Sequence, residues 1–349
     1  MAFVMMREFL RVGRVVVLIL ASGGVVIPGR GVAAPATTID AAESQAQRQT
    51  ELMLFRLRMF HHEAASSMLS SLGLAVFTDY FLLGETGRNR YNDRGEIQLT
   101  ARQNKLRKEM EEWSLVLHKR FPIAESCLVD RTGQEHLRVV GGKVQPSSLF
   151  STEESDAPFF APTLGLDKGK VFISEPYMSS DAYEWVTAFA SPVVDASGTK
   201  LGFYHFEVSL SVYQMIIRTR DFSFSSTQNT SPDRDEEGWF FIVDGKGLLI
   251  ADSRRETSYV IPAERHPEKA ANLPDYLPPE RMEKYLRPLS SISTDPAFTR
   301  ALAAVRPGET GHIALTVDGK PYVLAYGPVP DRPWTLFHLD PVSHTGFWD

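Results

Sequence analysis

Glu184-Trp-Val-Thr-Ala-Phe-Ala-Ser-Pro-Val-Val-Asp195-Ala-Ser-Gly198-Thr-Lys-Leu-Gly-Phe-Tyr-His-Phe-Glu-Val208 is the stretch whose reading decides the fold. Pro192 to Asp195 runs into a turn, and the alternating segment Leu201 to Val208 follows it. Gly198 can supply the positive φ that a tight hairpin loop needs. The pattern predicts two antiparallel strands around a D-x-x-G turn. The same device stands upstream as Cys127-Leu-Val-Asp130-Arg-Thr-Gly133 leading to Val139, and downstream as Phe241-Ile-Val-Asp244-Gly-Lys-Gly247 leading to Asp252. A fourth hairpin runs from Ile313 to Val317, through Asp318-Gly319, and on to Tyr322–Tyr326. The first and third hairpins open two halves of the chain and lie 114 residues apart. The second and fourth close them. That period is a duplication at the scale of a domain, too long for a solenoid.

Ahead of the hairpins the texture is helical. From Ile39 to Leu83 there is no proline and one glycine, Gly73. Leu52, Phe55, Met59, His62, Ser66, Leu69, Val76 and Tyr80 follow a three-and-four spacing, which predicts an amphipathic helix. A second helix carries Leu99, Gln103, Leu106, Met110, Trp113 and Leu117 and ends at Phe121-Pro122. Such stripes suit either packing on the protein's own sheets or a homodimer formed through these N-terminal helices. The expected organisation is α+β: a helical region over 37–122, a first antiparallel-sheet domain over 123–222, a polar linker over 223–238 and a second sheet domain over 239–349.

Composition narrows the function. In 349 residues, 43% are apolar and 23% charged, with a formal charge of −6, and no basic stripe is present. These values argue against nucleic acid as a partner. Arg7, Arg11 and Arg14 precede a short apolar run from Val15 to Ile27, and Ala34-Pro35-Ala36 follows. That is the pattern of a secretory signal peptide over 1–36, and the expected location is periplasmic or otherwise extracytoplasmic. An uncleaved N-terminal membrane anchor is the alternative. The single cysteine, Cys127, sits in an apolar strand and reads as a small buried side chain.

Taken in order, "CLVDRTGQEHLRV", "GKVFISEPY", the 184–208 hairpin, "GWFFIVDGKGLLIADS" and "GETGHIALTVDGKPYVLAYGPVPDRPWTLF" resemble the double-Cache extracytoplasmic sensor domain over about residues 38–340. The resemblance implies two tandem PAS-like (Cache) antiparallel-sheet domains behind long N-terminal helices. It also implies an exported small-molecule sensor, with no enzymatic activity, that acts in signal transduction. Twelve residues follow Phe337 and no kinase, cyclase or methyl-accepting region is found, so the expected output is through a separate membrane-bound signalling protein. The amino-acid-sensing branch of the family carries an Arg and a Trp just before its middle strand. Asp156-Ala-Pro-Phe-Phe160-Ala-Pro has neither, which argues against amino-acid recognition. A structural or assembly protein that works through its helical surface is the competing reading.

No dinucleotide fingerprint, phosphate loop or nucleophile elbow is present, so neither a cofactor nor a catalytic residue is expected. His61-His62-Glu63 is not expected to hold a metal, because adjacent helical residues point about 100° apart. Asp130, Asp195, Asp244 and Asp318 read as turn caps. The expected ligand site, for a polar or cationic small molecule, is the aromatic and acidic group Phe159, Phe160, Phe172, Tyr177, Asp181, Tyr183, Trp185 and Thr187. Tyr183, Trp185 and Thr187 lie two apart on one strand and share a face. The site forms if the Phe159–Phe172 segment covers that face.

Overall fold

The computed structural model describes residues 38–83, 97–179, 181–182, 184–219, 238–254 and 292–342. The expected signal segment, nearly all of the expected linker, and Tyr183 lie outside the described residues. Helix α1 spans Thr38–Leu72, α2 Ala75–Leu82 and α3 Ala101–Arg120. The break between α1 and α2 falls at Gly73. Thr100 caps α3 with a reciprocal pair of bonds to Gln103.

The first sheet holds β1 (Ile123–Asp130), β2 (Glu135–Val140), β3 (Lys143–Val144), β4 (Phe172–Ile173), β5 (Tyr177–Ser179), β6 (Glu184–Val194) and β7 (Lys200–Ser209). Their order is β3-β2-β1-β7-β6-β4, with β5 also paired to β6. Short α4 (Phe160–Gly165) lies between β3 and β4 in sequence, and α5 (Leu210–Arg218) follows β7. The second sheet holds β8 (Trp239–Val243), β9 (Leu249–Asp252), β10 (Gly311–Val317), β11 (Lys320–Pro328) and β12 (Thr335–Pro341), in the order β10-β11-β12-β8-β9. Helix α6 spans Pro296–Ala304. In both sheets the first strand pairs with the second on one side and with the last on the other, as a duplicated unit requires.

Turn chemistry fixes these registers. Asp130 Oδ1 accepts from the Thr132 and Gln134 amides at 2.7 and 3.2 Å. Asp195 does the same for Ser197 and Thr199, and Asp244 for Lys246 and Leu248. The fourth hairpin differs: Val317 pairs with Lys320, so Asp318 and Gly319 alone form the loop, at φ 50 and 77. That is a two-residue turn with both φ values positive, and not another Asp-capped loop. Gly202 on β7 answers to space instead, because a Cβ there would lie 2.3 Å from the Val129 carbonyl oxygen.

One apolar core runs through both sheets. Met53, Leu57, Phe60, Ala64 and Met68 of α1 meet Trp185, Phe189, Tyr204 and Phe206 of the first sheet, Tyr213 of α5, and Ile242, Ile250, Trp334 and Leu336 of the second. The front of the stripe read from sequence does not pack on the protein's own sheets. Leu52, Phe55 and Met59 are about half exposed, and the buried row is one residue round the helix. Both rows are apolar, so periodicity alone does not choose between them. On α3 the expected stripe holds at Gln103, Met110 and Leu117, whereas Trp113 is exposed.

Candidate functional site

Each sheet has a second face, turned away from α1. On the first sheet this face gathers Cys127 and Val129 of β1, Tyr177 of β5, Val186, Ala188 and Ala190 of β6 and Phe203 of β7, with Phe159 and Phe160 packed over them. Strand alternation brings polar side chains to the same face. Glu207 stands across from Glu125, and Cys127 stands between His205 on β7 and Arg138 on β2. A carboxylate, an imidazole and a guanidinium thus occupy positions that are apolar in an ordinary two-sided sheet.

Arg138 is the hub. Its Nε donates to Glu135 Oε1 at 3.2 Å and lies 3.1 Å from Glu125 Oε1 as an ion pair. Nη2 reaches Glu135 at 3.0 Å, Asp181 at 2.9 Å and Glu154 at 3.9 Å, and Nη1 donates to the Leu149 carbonyl at 2.7 Å and to Asp181 at 3.1 Å. Glu207 accepts a short bond from the Tyr177 hydroxyl, while its Oε2 has no hydrogen-bond partner. The Cys127 thiol donates to Glu125 Oε1 at 3.1 Å, and Ser179 donates to Glu125 Oε2 at 3.4 Å. His205 stacks on Phe159 with centroids 4.3 Å apart, and its Nδ1 is unpartnered.

Among the described residues five carboxyl groups gather here, four of them in ion pairs with the one guanidinium and four of the five less than a tenth exposed, so negative groups outnumber positive ones on this face. Burial, then the charges of Glu207 and Asp181, push Glu125 well above the usual carboxylate range. Burial raises Glu135 to about 8 against the pull of Arg138, and raises Glu207 to about 7 against the Tyr177 bond. Burial and the Arg138 charge hold His205 down at about 3, so its ring is neutral. Desolvation thus favours the protonated form of Glu125, Glu135 and Glu207.

The expected site residues divide between the two faces. Phe159, Phe160, Phe172 and Tyr177 lie on the acid-bearing face, and Asp181 joins it through Arg138 at its solvent edge. Trp185 and Thr187 do share a face with Phe189, but it is the opposite one, against α1 and α5. The expectation that the Phe159–Phe172 segment covers Trp185 and Thr187 is therefore corrected: that segment covers Val186, Ala188 and Ala190. Tyr183 lies outside the described residues. Sequence reading missed Glu125, Glu135, Arg138, His205 and Glu207. The available signal was polar residues in phase, at 125 and 127 and at 205 and 207, on strands otherwise largely apolar on both faces.

The opposite face carries a joint between the sheets. His61 Nδ1 lies 3.1 Å from the Pro330 carbonyl, which can only accept, so Nδ1 bears the proton. Nε2 then accepts from the Tyr213 hydroxyl at 3.2 Å, and Tyr213 accepts from Thr187 at 3.2 Å. Burial holds His61 at about 4, which keeps the ring neutral as this chain of bonds requires. Beside it Glu175, near β5, accepts from Arg332, and from Trp334 Nε1 at 3.1 Å. Arg332 also donates to the Ile173 carbonyl and lies 4.8 Å over the Trp334 ring.

No protein-family model matches the chain, and no curated protein does. Solved structures do. The chain is similar to the extracellular domain of the histidine kinase vpHK1S-Z8, at 14% identity and TM-score 0.53, over 87% of this chain and 92% of that one. A domain of a sensory box/GGDEF family protein from Vibrio parahaemolyticus gives 14%, 0.53, 87% and 97%. The ligand-binding domain of the Campylobacter jejuni chemoreceptor Tlp3, in complex with 4-methylisoleucine, gives 10%, 0.53, 90% and 98%. With a long N-terminal helix ahead of two antiparallel sheets, the chain shares the fold of these solved domains, an α+β arrangement of two tandem PAS-like units.

Proposed function

We propose that this protein is an extracytoplasmic sensor, without enzymatic activity, whose first sheet binds a small cationic ligand on the Glu125–Glu207 face. The observation that supports this reading is the charge imbalance: five carboxyl groups around one arginine, with Asp181 at the solvent edge. A cation would let the buried carboxyls ionise and pair. An amino acid of the kind bound by Tlp3 would need its carboxylate to compete with Glu125, Glu135, Glu154 and Asp181 for Arg138. In this reading the liganded state passes to a membrane-bound signalling protein. The half-exposed row Leu52, Phe55 and Met59 supports a homodimer through α1. The Arg7–Ala36 sequence pattern supports a location outside the cytoplasm.

The test is a thermal-shift screen of amines and divalent cations beside an equal set of anionic metabolites, followed by calorimetry. A true ligand adds RT ln(1 + [L]/Kd), about 2.7 kcal/mol at a hundredfold excess over Kd. Cations should stabilise the protein, and Asp181→Asn should weaken their binding. Stabilisation by anions alone would reverse the charge assignment.

A further inference from the structure

We propose that Glu125, Cys127, Glu135 and His205 together bind a divalent transition-metal cation of the zinc or cadmium class, an inference that rests on the reading of this face as a cation site. Among the described residues, one carboxylate oxygen each from Glu125 and Glu135 and the Cys127 sulfur all lie within 4.8 Å of one another. Tetrahedral zinc, with bonds of about 2.0–2.3 Å, holds its donor atoms roughly 3.5 Å apart, so modest rotation closes these three donors, and His205, outside the group, must turn its ring in to complete the four. The Glu125 oxygen is already 3.1 Å from the sulfur.

A second, independent observation points to a ligand. His205 faces Cys127 directly across the β1–β7 ladder, is 3% exposed, and leaves Nδ1 without a hydrogen-bond partner. A buried ring nitrogen without a partner is costly unless something completes it. Glu207 Oε2, equally unpartnered, stands beside Glu125 as an outer acceptor. The mixture of thiol sulfur, imidazole nitrogen and carboxylate oxygen suits borderline and soft divalent ions, and the sulfur disfavours magnesium and calcium. Arg138 now holds Glu135 through Nε and Nη2 and lies against Glu125 through Nε. A metal ion takes over these three contacts, while Nη1 and Nη2 keep Asp181 and Nη1 keeps the Leu149 carbonyl.

The experiment is a Co2+ titration of the reduced, folded full chain, read by the thiolate-to-metal charge-transfer absorption. The chain has one cysteine, so any such band reports Cys127. The expected result is a band that saturates at one Co2+ per chain, is displaced by Zn2+, and is lost in Cys127→Ser. Glu135→Gln and His205→Gln should each weaken binding by more than the roughly 10- to 100-fold that loss of a supporting outer residue costs. Absence of the band in the reduced wild-type chain overturns the proposal, and so does an affinity unmoved by both substitutions. If a variant fails to fold, the wild-type band decides alone. Putrescine is run in parallel by thermal shift. Stabilisation by putrescine without a Co2+ band removes the metal and leaves the cation reading standing, whereas no response to either removes both.

Discussion

The two outer sheet faces occupy the same place in a repeated fold, yet they differ in chemistry at four matched positions. Counting 114 residues on, Glu125 becomes Trp239, Cys127 becomes Phe241, Glu135 becomes Leu249 and Arg138 becomes Asp252. Across the ladder the pair Cys127–His205 corresponds to Phe241–Phe337, and Glu125–Glu207 to Trp239–Leu339. On the second sheet those rings fill the space: Phe241 stacks on Phe337 at 5.0 Å and Phe298 of α6 lies parallel to Trp239 at 6.2 Å. One repeat has an outer face that holds a domain together. The other carries buried polar and ionisable groups at the same positions, which add little to folding and which the proposed function assigns to recognition.

That contrast is open to direct attack. Phe241→Ala should cost about 3–5 kcal/mol in urea unfolding, from lost burial and the cavity left behind. Its counterpart Cys127→Ala removes one sulfur atom and should cost clearly less. Equal losses would mean that the first face is packed for stability after all.

Acid probes the joint between the repeats. His61 is held at about 4 by burial, then by the Arg332 charge, against an ordinary value near 6.5. Above pH 6.5 the ring is neutral in both folded and unfolded chains and contributes nothing to the pH dependence. As pH falls from 6.5 towards 4, the unfolded chain takes up the proton first and stability is lost, by about 3 kcal/mol from this residue. Unfolding curves at several pH values should show that slope, and His61→Gln should flatten it. A slope unchanged in the variant would mean that His61 is not kept neutral.

The smallest effect belongs to Glu175, whose side chain is 47% exposed although its partner Arg332 is buried. Glu175→Gln should cost about 1 kcal/mol or less. A loss several times larger would make the Glu175 pair, rather than the His61–Tyr213 chain, the main tie between the sheets.

Much of the fold was readable in advance because its signals are local. The three Asp-x-x-Gly loops each depend on an aspartate that caps its own turn and a glycine at positive φ, and both are visible within five residues. Which face of β6 meets which neighbour is not local. Trp185, Thr187 and Phe189 were rightly placed together, but alternation is symmetric about the strand and does not say whether α1 or α4 lies on their side. Helix α1 posed the same problem, with two adjacent apolar rows and only tertiary packing to choose between them. The acid-bearing face was hidden for a different reason. Its members come from three strands, and each polar residue looks isolated in its own segment until the ladder sets Glu207 beside Glu125 and His205 beside Cys127.

Strand β6 is a party wall one residue thick. Val186 and Ala188 belong to the room with the carboxylates, and Thr187 and Phe189 belong to the room with the helices. Consecutive tenants are bound through a rigid peptide plane and sit about 3.3 Å apart along the strand. Whatever pushes on Ala188 therefore pushes on Thr187, and through Tyr213 and His61 on the Pro330 turn of the second repeat. In the proposed reading, occupancy on one side reaches the other first across the covalent backbone and then through those hydrogen bonds. Inserting a single residue ahead of Trp185 would swap the tenants, and the two rooms would exchange their furniture.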